Sequence, residues 1–363
     1  MFVLVLWTLK LKTPKTPLVA GLKAMDWLGC VTIVGGTVMV LVGLNLGGSA
    51  YSWKSATVIC LLVFGVVTLI LFLFVEWKIA RVPIISLSIV NTWQRSGALI
   101  AALFHGFVVS TIFYFLPLYF QSVLGAGALI SGVLLLPLAI SVSVADALTG
   151  WGISATGVYT WFIRGGFFVM TLGSGLLINL PHSRQWARVI IFQIILGVGI
   201  GPNFQALTIA FQSAVKSSDV GTATSTFSFA RNLATSIGLV LGEAVFQNAM
   251  RGQYTRLSGP LGPELAGILA NGGAASSVFT VDKLPADQKT VARDAYYIAI
   301  RDIWILQTAF SAVGLVAICF IKGRVLSKDH TVVETGLEVE ARRAAELEKE
   351  RMGGRAGRQE VLV

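Results

Sequence analysis

Arg231 poses the first chemical question. It lies about ten residues inside an apolar run, Thr222–Phe246, with Asn232 beside it and Thr235 one turn further on. A charge at the centre of a hydrocarbon layer costs roughly 2.5–3.5 kcal/mol, so such a group lines a wet cavity or finds a partner. Depth disfavours the alternative of an arginine snorkelling to an interface. Asp146 and Arg164 occupy consecutive apolar runs joined by a turn near Gly152–Gly157, and their spacing predicts an interhelical ion pair in preference to a proton-carrying Asp146. His105 sits mid-run and would titrate near neutral pH if it faced water, although a hydrogen-bonded packing histidine is the plainer reading. Glu243 falls near the end of its run, where an interfacial carboxylate is expected.

A further polar set follows Gly197, Gly199, Gly201 and Pro202. With Gln193, the residues Asn203, Gln205 and Gln212 give that run a polar lining unusual for lipid contact. The glycines lack the strand and soluble helix of a nucleotide loop, so close helix packing and a proline kink are predicted instead. No nucleophile and base, paired acids or metal ligands converge at a useful spacing, which argues against an enzyme. Cys30, Cys60 and Cys319 fall inside apolar runs, and His105, His182 and His330 share no ligand spacing. Neither a metal nor another cofactor is expected.

The elements that must carry these groups are membrane helices. Residues are 55% hydrophobic and 13% charged, with a mean hydropathy of +0.77, which leaves too little polar surface for a soluble globule of 363 residues. The runs are helix-length and continuously apolar, unlike the alternation of a barrel. Eight are predicted: Asp26–Leu46, Ala56–Trp77, Ser96–Phe120, Ile130–Gly150, Val158–Leu180, Arg188–Phe211, Thr222–Phe246 and Ile303–Ile321. Met1–Leu9 is too short to span and lacks the flanks of a signal peptide, so it reads as the end of a helix whose beginning is missing. Aromatics near the predicted span ends, among them Trp27, Tyr51, Trp53, Trp77, Trp93, Tyr119, Trp186 and Trp304, look like interface anchors.

Eleven basic residues flank the spans on the side of both termini and nine on the other, which assigns the termini to the cytosol. The net charge of +10 suits anchoring to anionic leaflets; without a basic patch interleaved with aromatics, nucleic acid is not an expected partner. Residues 248–302 combine turn-forming Gly259-Pro260, Gly262-Pro263 and Asn271-Gly272-Gly273 with an amphipathic stretch at 287–300, which predicts a partly ordered external loop. The alternating charges of Glu338–Arg351 predict an exposed helix, followed by disorder.

Several short motifs, taken in order, resemble one family. They are Leu22-Lys23-Ala24-Met25-Asp26-Trp27-Leu28-Gly29 entering a span that closes with Gly47-Gly48, then Phe115-Leu116-Pro117-Leu118-Tyr119-Phe120-Gln121, and Ser131-Gly132-Val133-Leu134-Leu135-Leu136-Pro137. Gly157-Val158-Tyr159 and Gly221-Thr222-Ala223-Thr224-Ser225-Thr226-Phe227 complete the set. Together they resemble the fungal fourteen-helix drug:proton antiporters of the major facilitator superfamily, including mycotoxin and multidrug efflux pumps, over nearly the whole chain.

The resemblance implies an all-α integral membrane fold of about eight transmembrane helices. It divides the chain into the end of a truncated helix with a basic loop at 1–25, a two-helix linker at 26–77, a six-helix C-terminal bundle at 78–322 with its external loop at 248–302, and a charged, partly disordered cytosolic tail at 323–363. It also implies alternating access, with proton entry driving export of small hydrophobic compounds, drugs or secondary metabolites across a membrane, the plasma membrane in the first instance. By the same resemblance Tyr114, Gln121, Asn203, Gln205, Arg231 and Asn232 line the substrate cavity, and an N-terminal bundle completes it. Two departures bear on gating: Ser154-Ala155-Thr156 stands where relatives carry a basic residue, and they do not normally carry an acid like Asp146. The alternative reading is a truncated, non-transporting membrane fragment or a membrane-embedded partner of another subunit.

Overall fold

A computed structural model describes residues 26–47, 51–78, 92–215 and 220–321. The expected helix end at Met1–Leu9, the basic residues of the first loop, Arg81, Lys216 and the tail beyond 321 with His330 lie outside the described residues. The fold is α-helical throughout, with one isolated bridge between Gly47 and Tyr51 and no strand among the described residues. Among the described residues, seven helical segments are long and apolar enough to cross a membrane.

Two helices come first. Asp26 caps α1 (Trp27–Leu46), its Oδ1 accepting from the Gly29 N–H at 2.8 Å. α1 packs lengthwise on α2 (Ala56–Lys78) through small residues. A Cβ at Gly36 would come within 2.9 Å of Leu69, and one at Gly65 within 2.8 Å of Val40, so the backbones approach as closely as their side chains allow. Outside this seam the pair is apolar and exposed, with Val31, Val38, Val63, Phe64, Ile70 and Phe74 facing outward as lipid contact requires.

The bundle follows. α3 (Trp93–Ser122) is its centre and touches three other long helices. The next expected span is one membrane-length run, Ala128–Thr156, with an irregular residue near its start. α4 (Ala128–Leu134) gives way at Leu135 to α5 (Leu136–Thr156), because Pro137 has no N–H to donate and its ring clashes with a carbonyl one turn back. Gly157, at φ +70°, ends α5 in a left-handed cap that donates to Ile153 O at 2.8 Å. α6 (Thr160–Leu177) is the fifth of the eight expected spans; at 18 residues, with Arg164 and four glycines, it is the one not counted among the seven. α7 (Trp186–Gln212) and α8 (Val220–Gly252, 33 residues) complete the part that bears the polar groups.

α7 is wedged between α5 and α6, and its glycines make this arrangement. A Cβ at Gly197 or Gly201 would collide with α5 at Ser141 and the Val142 carbonyl, whereas one at Gly199 would strike the α6 backbone at Met170. Gly173 of α6 accepts Leu196 in the same manner. The expected close packing at the Gly-Pro segment is thus two-sided.

Residues 253–285 are more ordered than a loop. α9 (Tyr254–Leu261), α10 (Pro263–Ile268), α11 (Val278–Asp282) and the turns between them bury Leu257, Ala266, Leu269, Ala274 and Val281, packing on α8 and on α12 (Ala286–Ala317). The amphipathic stretch at 287–300 and the last span are therefore one helix. Tyr296 donates to Ala274 O, Arg256 and His182 flank Asp294 at 3.0 and 3.5 Å, and Arg293 reaches Asp282 at 3.1 Å. Inside the bundle, Gln307 of α12 accepts from Thr111 of α3 at 3.0 Å and donates to Ser174 of α6 at 3.2 Å, a buried polar clasp of three helices. Of the expected interface aromatics, Tyr119 and Trp304 are core residues; the Tyr119 hydroxyl finds Pro181 O.

Candidate functional site

Helices α5, α7 and α8 enclose a cavity of about 430 Å³ lined by Asp146, Phe204, Gln205, Thr208, Ser228, Arg231 and Asn232. Each helix contributes on its own period. Gln205 and Thr208 are three apart on α7, as are Ser228 and Arg231 on α8, so each pair shares a face. Asp146 is brought to the wall because Gly201 lets α5 approach until a Cβ there would lie 2.9 Å from the Asp146 amide nitrogen.

Arg231 makes a cation–π contact. Its guanidinium carbon lies 4.6 Å from the Phe204 ring centroid, and it makes neither a hydrogen bond nor a salt bridge among the described residues. Asp146 is its electrostatic counterpart across the cavity, and the buried Oδ1 of Asp146 has no hydrogen-bond partner. Behind Phe204, the His105 ring stands edge-on at 4.8 Å and Nε2 donates to Ile200 O at 3.1 Å. The carbonyl acceptor places a proton on Nε2.

Three of the six expected lining residues, Gln205, Arg231 and Asn232, border the cavity. Asn203 is fully buried on the opposite face of α7, donating to Gly199 O at 2.8 Å and packed over Gly166. Gln121 donates to Ser131 at 3.3 Å, fastening α3 to α4. Tyr114 is partly exposed on α3, edge-on to Phe115 and near Glu243, whose carboxylate accepts from Gln247 at 2.5 Å. Gln193 and Gln212 are also committed, to Val189 O and Thr224.

The expected Asp146–Arg164 ion pair is not formed. α7 separates α5 from α6, and α5 continues to Thr156, so Asp146 shares the cavity with Arg231 without contact while Arg164 is exposed. His105 is enclosed in the core and screened from the cavity by Phe204. The lining residues Phe204, Thr208 and Ser228 were not expected; the polar pairs at i, i+3 were the available signal for Thr208 and Ser228, and Phe204 left none.

The chain is thus a multi-helix membrane fold with apolar outer faces and a charged cavity between its helices. The model of the Major Facilitator Superfamily matches residues 21–239, and the chain belongs to that superfamily. It is 46% identical over 357 residues to the efflux pump dotC of Dothistroma septosporum, covering 96% of this chain and 61% of that protein. The MFS-type transporter ppz2 of Metarhizium majus is 41% identical over 351 residues, again 96% of this chain and 61% of the relative. The efflux pump FUS6 of Gibberella fujikuroi is 30% identical over 323 residues, or 87% of this chain and 57% of that pump. The chain thus spans about three-fifths of the length of such relatives. It is a multi-pass membrane protein whose relatives are transporters, which points away from an enzyme.

Proposed function

We propose that this chain forms the central linker pair and C-terminal six-helix bundle of a fourteen-helix, proton-coupled exporter of small hydrophobic compounds, drugs or secondary metabolites, working in the plasma membrane. The observation that carries this reading is the cavity between α5, α7 and α8, where an arginine with no salt bridge shares an open space with Gln205, Asn232 and Asp146. Groups so expensive at membrane depth are expected where a solute or ion passes. The volume of about 430 Å³ lies in the range of small-molecule sites, roughly 300–1,000 Å³. A preceding N-terminal bundle supplies the facing wall, and the two bundles rock about the solute to expose it to each side in turn. The names of the relatives, efflux pumps among them, support export as the direction.

The test is drug accumulation in pump-deficient yeast expressing the protein from its native gene. Arg231→Ala should raise the retained compound to the level of cells treated with an uncoupler. Loss of one contact to a charged group predicts an affinity loss of about tenfold or more. Undiminished export by a normally expressed Arg231→Ala variant would remove the cavity from the transport path.

A further inference from the structure

The chemistry of the cavity goes further and indicates what kind of compound fits it. Arg231 presents a planar fork of N–H donors with its guanidinium carbon over the Phe204 ring, and no acceptor among the described residues uses that fork. Such an edge matches a carboxylate or another planar anion in bidentate geometry. Gln205 and Asn232 border the same space and add neutral hydrogen-bonding groups. An amphipathic acid can place its charge on Arg231 and its apolar body along Phe204. A cation would approach Asp146 only beside the guanidinium, and a neutral compound would offer the N–H fork no charged acceptor.

Resting on the reading of this cavity as the substrate site, we infer that it selects amphipathic acids, compounds bearing a carboxylate or an ionised phenol. Arg231 is the specificity-determining group, and Asp146 is the internal counter-charge that the ligand anion replaces. The occupied and empty cavity then both keep the guanidinium compensated, by the ligand in one state and by Asp146 across the gap in the other.

The experiment measures equilibrium binding of three similar probes, 2-naphthoate, 2-naphthalenemethanol and 2-naphthylmethylammonium, to the full chain in phosphatidylcholine nanodiscs. Naphthoate should bind about tenfold tighter than the alcohol, the worth of one charge-assisted contact, with the ammonium weakest. R231Q should abolish the preference while still binding the alcohol, which also reports an intact fold. R231K, which keeps the charge but loses the fork, should fall between, and D146N should tighten naphthoate. Equal binding of acid and alcohol that R231Q leaves unchanged would overturn acid selection and leave the cavity as a substrate site. Binding of none of the three would overturn both. The same guanidinium could be engaged by an anionic lipid headgroup; Arg231-dependent displacement of naphthoate by added phosphatidylserine would assign the site to lipid and overturn the solute.

Discussion

Asn203 and Gln205 are two residues apart on one helix, about 200° around its axis, so at most one can face a given solute. Gln205 faces the cavity, and Asn203 is pressed on Gly166, where a Cβ would lie 2.8 Å from its Nδ2. Gln205→Ala should therefore weaken transport without changing the melting temperature. Asn203→Leu should cost about 1–3 kcal/mol by overpacking, seen as a lowered melting temperature in detergent. Helical period alone would have separated these two residues. It also made Arg231 legible, since an arginine this deep in an apolar run has few alternatives. Asp146 was harder to place: adjacency in sequence points to Arg164, and only the insertion of α7 between the helices directs it to Arg231 instead. His105 lies behind Phe204, and no count of apolar residues could assign it to that side.

Helix existence was legible because hydrocarbon demands long apolar runs, and every predicted span overlaps an observed helix. Boundaries followed local chemistry less visible in hydropathy: Pro137 divides α4 from α5, and α8 and α12 run well past their apolar segments into polar surroundings. Packing order depends on glycines whose partners are remote in sequence. Gly199→Val should force α7 from α6, costing about 1–3 kcal/mol or more and lowering the yield of monodisperse protein in size-exclusion chromatography. Gly150→Ala, in α5 with nothing within 4 Å of the added Cβ, should be neutral or slightly stabilising by the same measurement. Equal effects at the two positions would contradict the wedge assigned to α7.

Across the whole molecule, the six-span bundle places the 253–285 helices at the end that also carries the α6–α7 turn, with His182 and Arg256 meeting on Asp294. The start of α3 lies at the opposite end, where Gln94 donates to Tyr159 at 3.1 Å. The basic-residue bias predicts that this second end faces the cytosol. A membrane-impermeant maleimide should label Thr255→Cys in intact cells and Ser154→Cys only after permeabilisation; the reverse pattern would invert the topology. The measurement closest to the central claim is reactivity at the cavity itself. In a background with Cys30, Cys60 and Cys319 changed to Ala, N232C should react with an impermeant methanethiosulfonate at a rate that depends on the proton gradient, and an exported compound should protect it. A rate indifferent to both gradient and compound would mean that this cavity is not where the solute crosses.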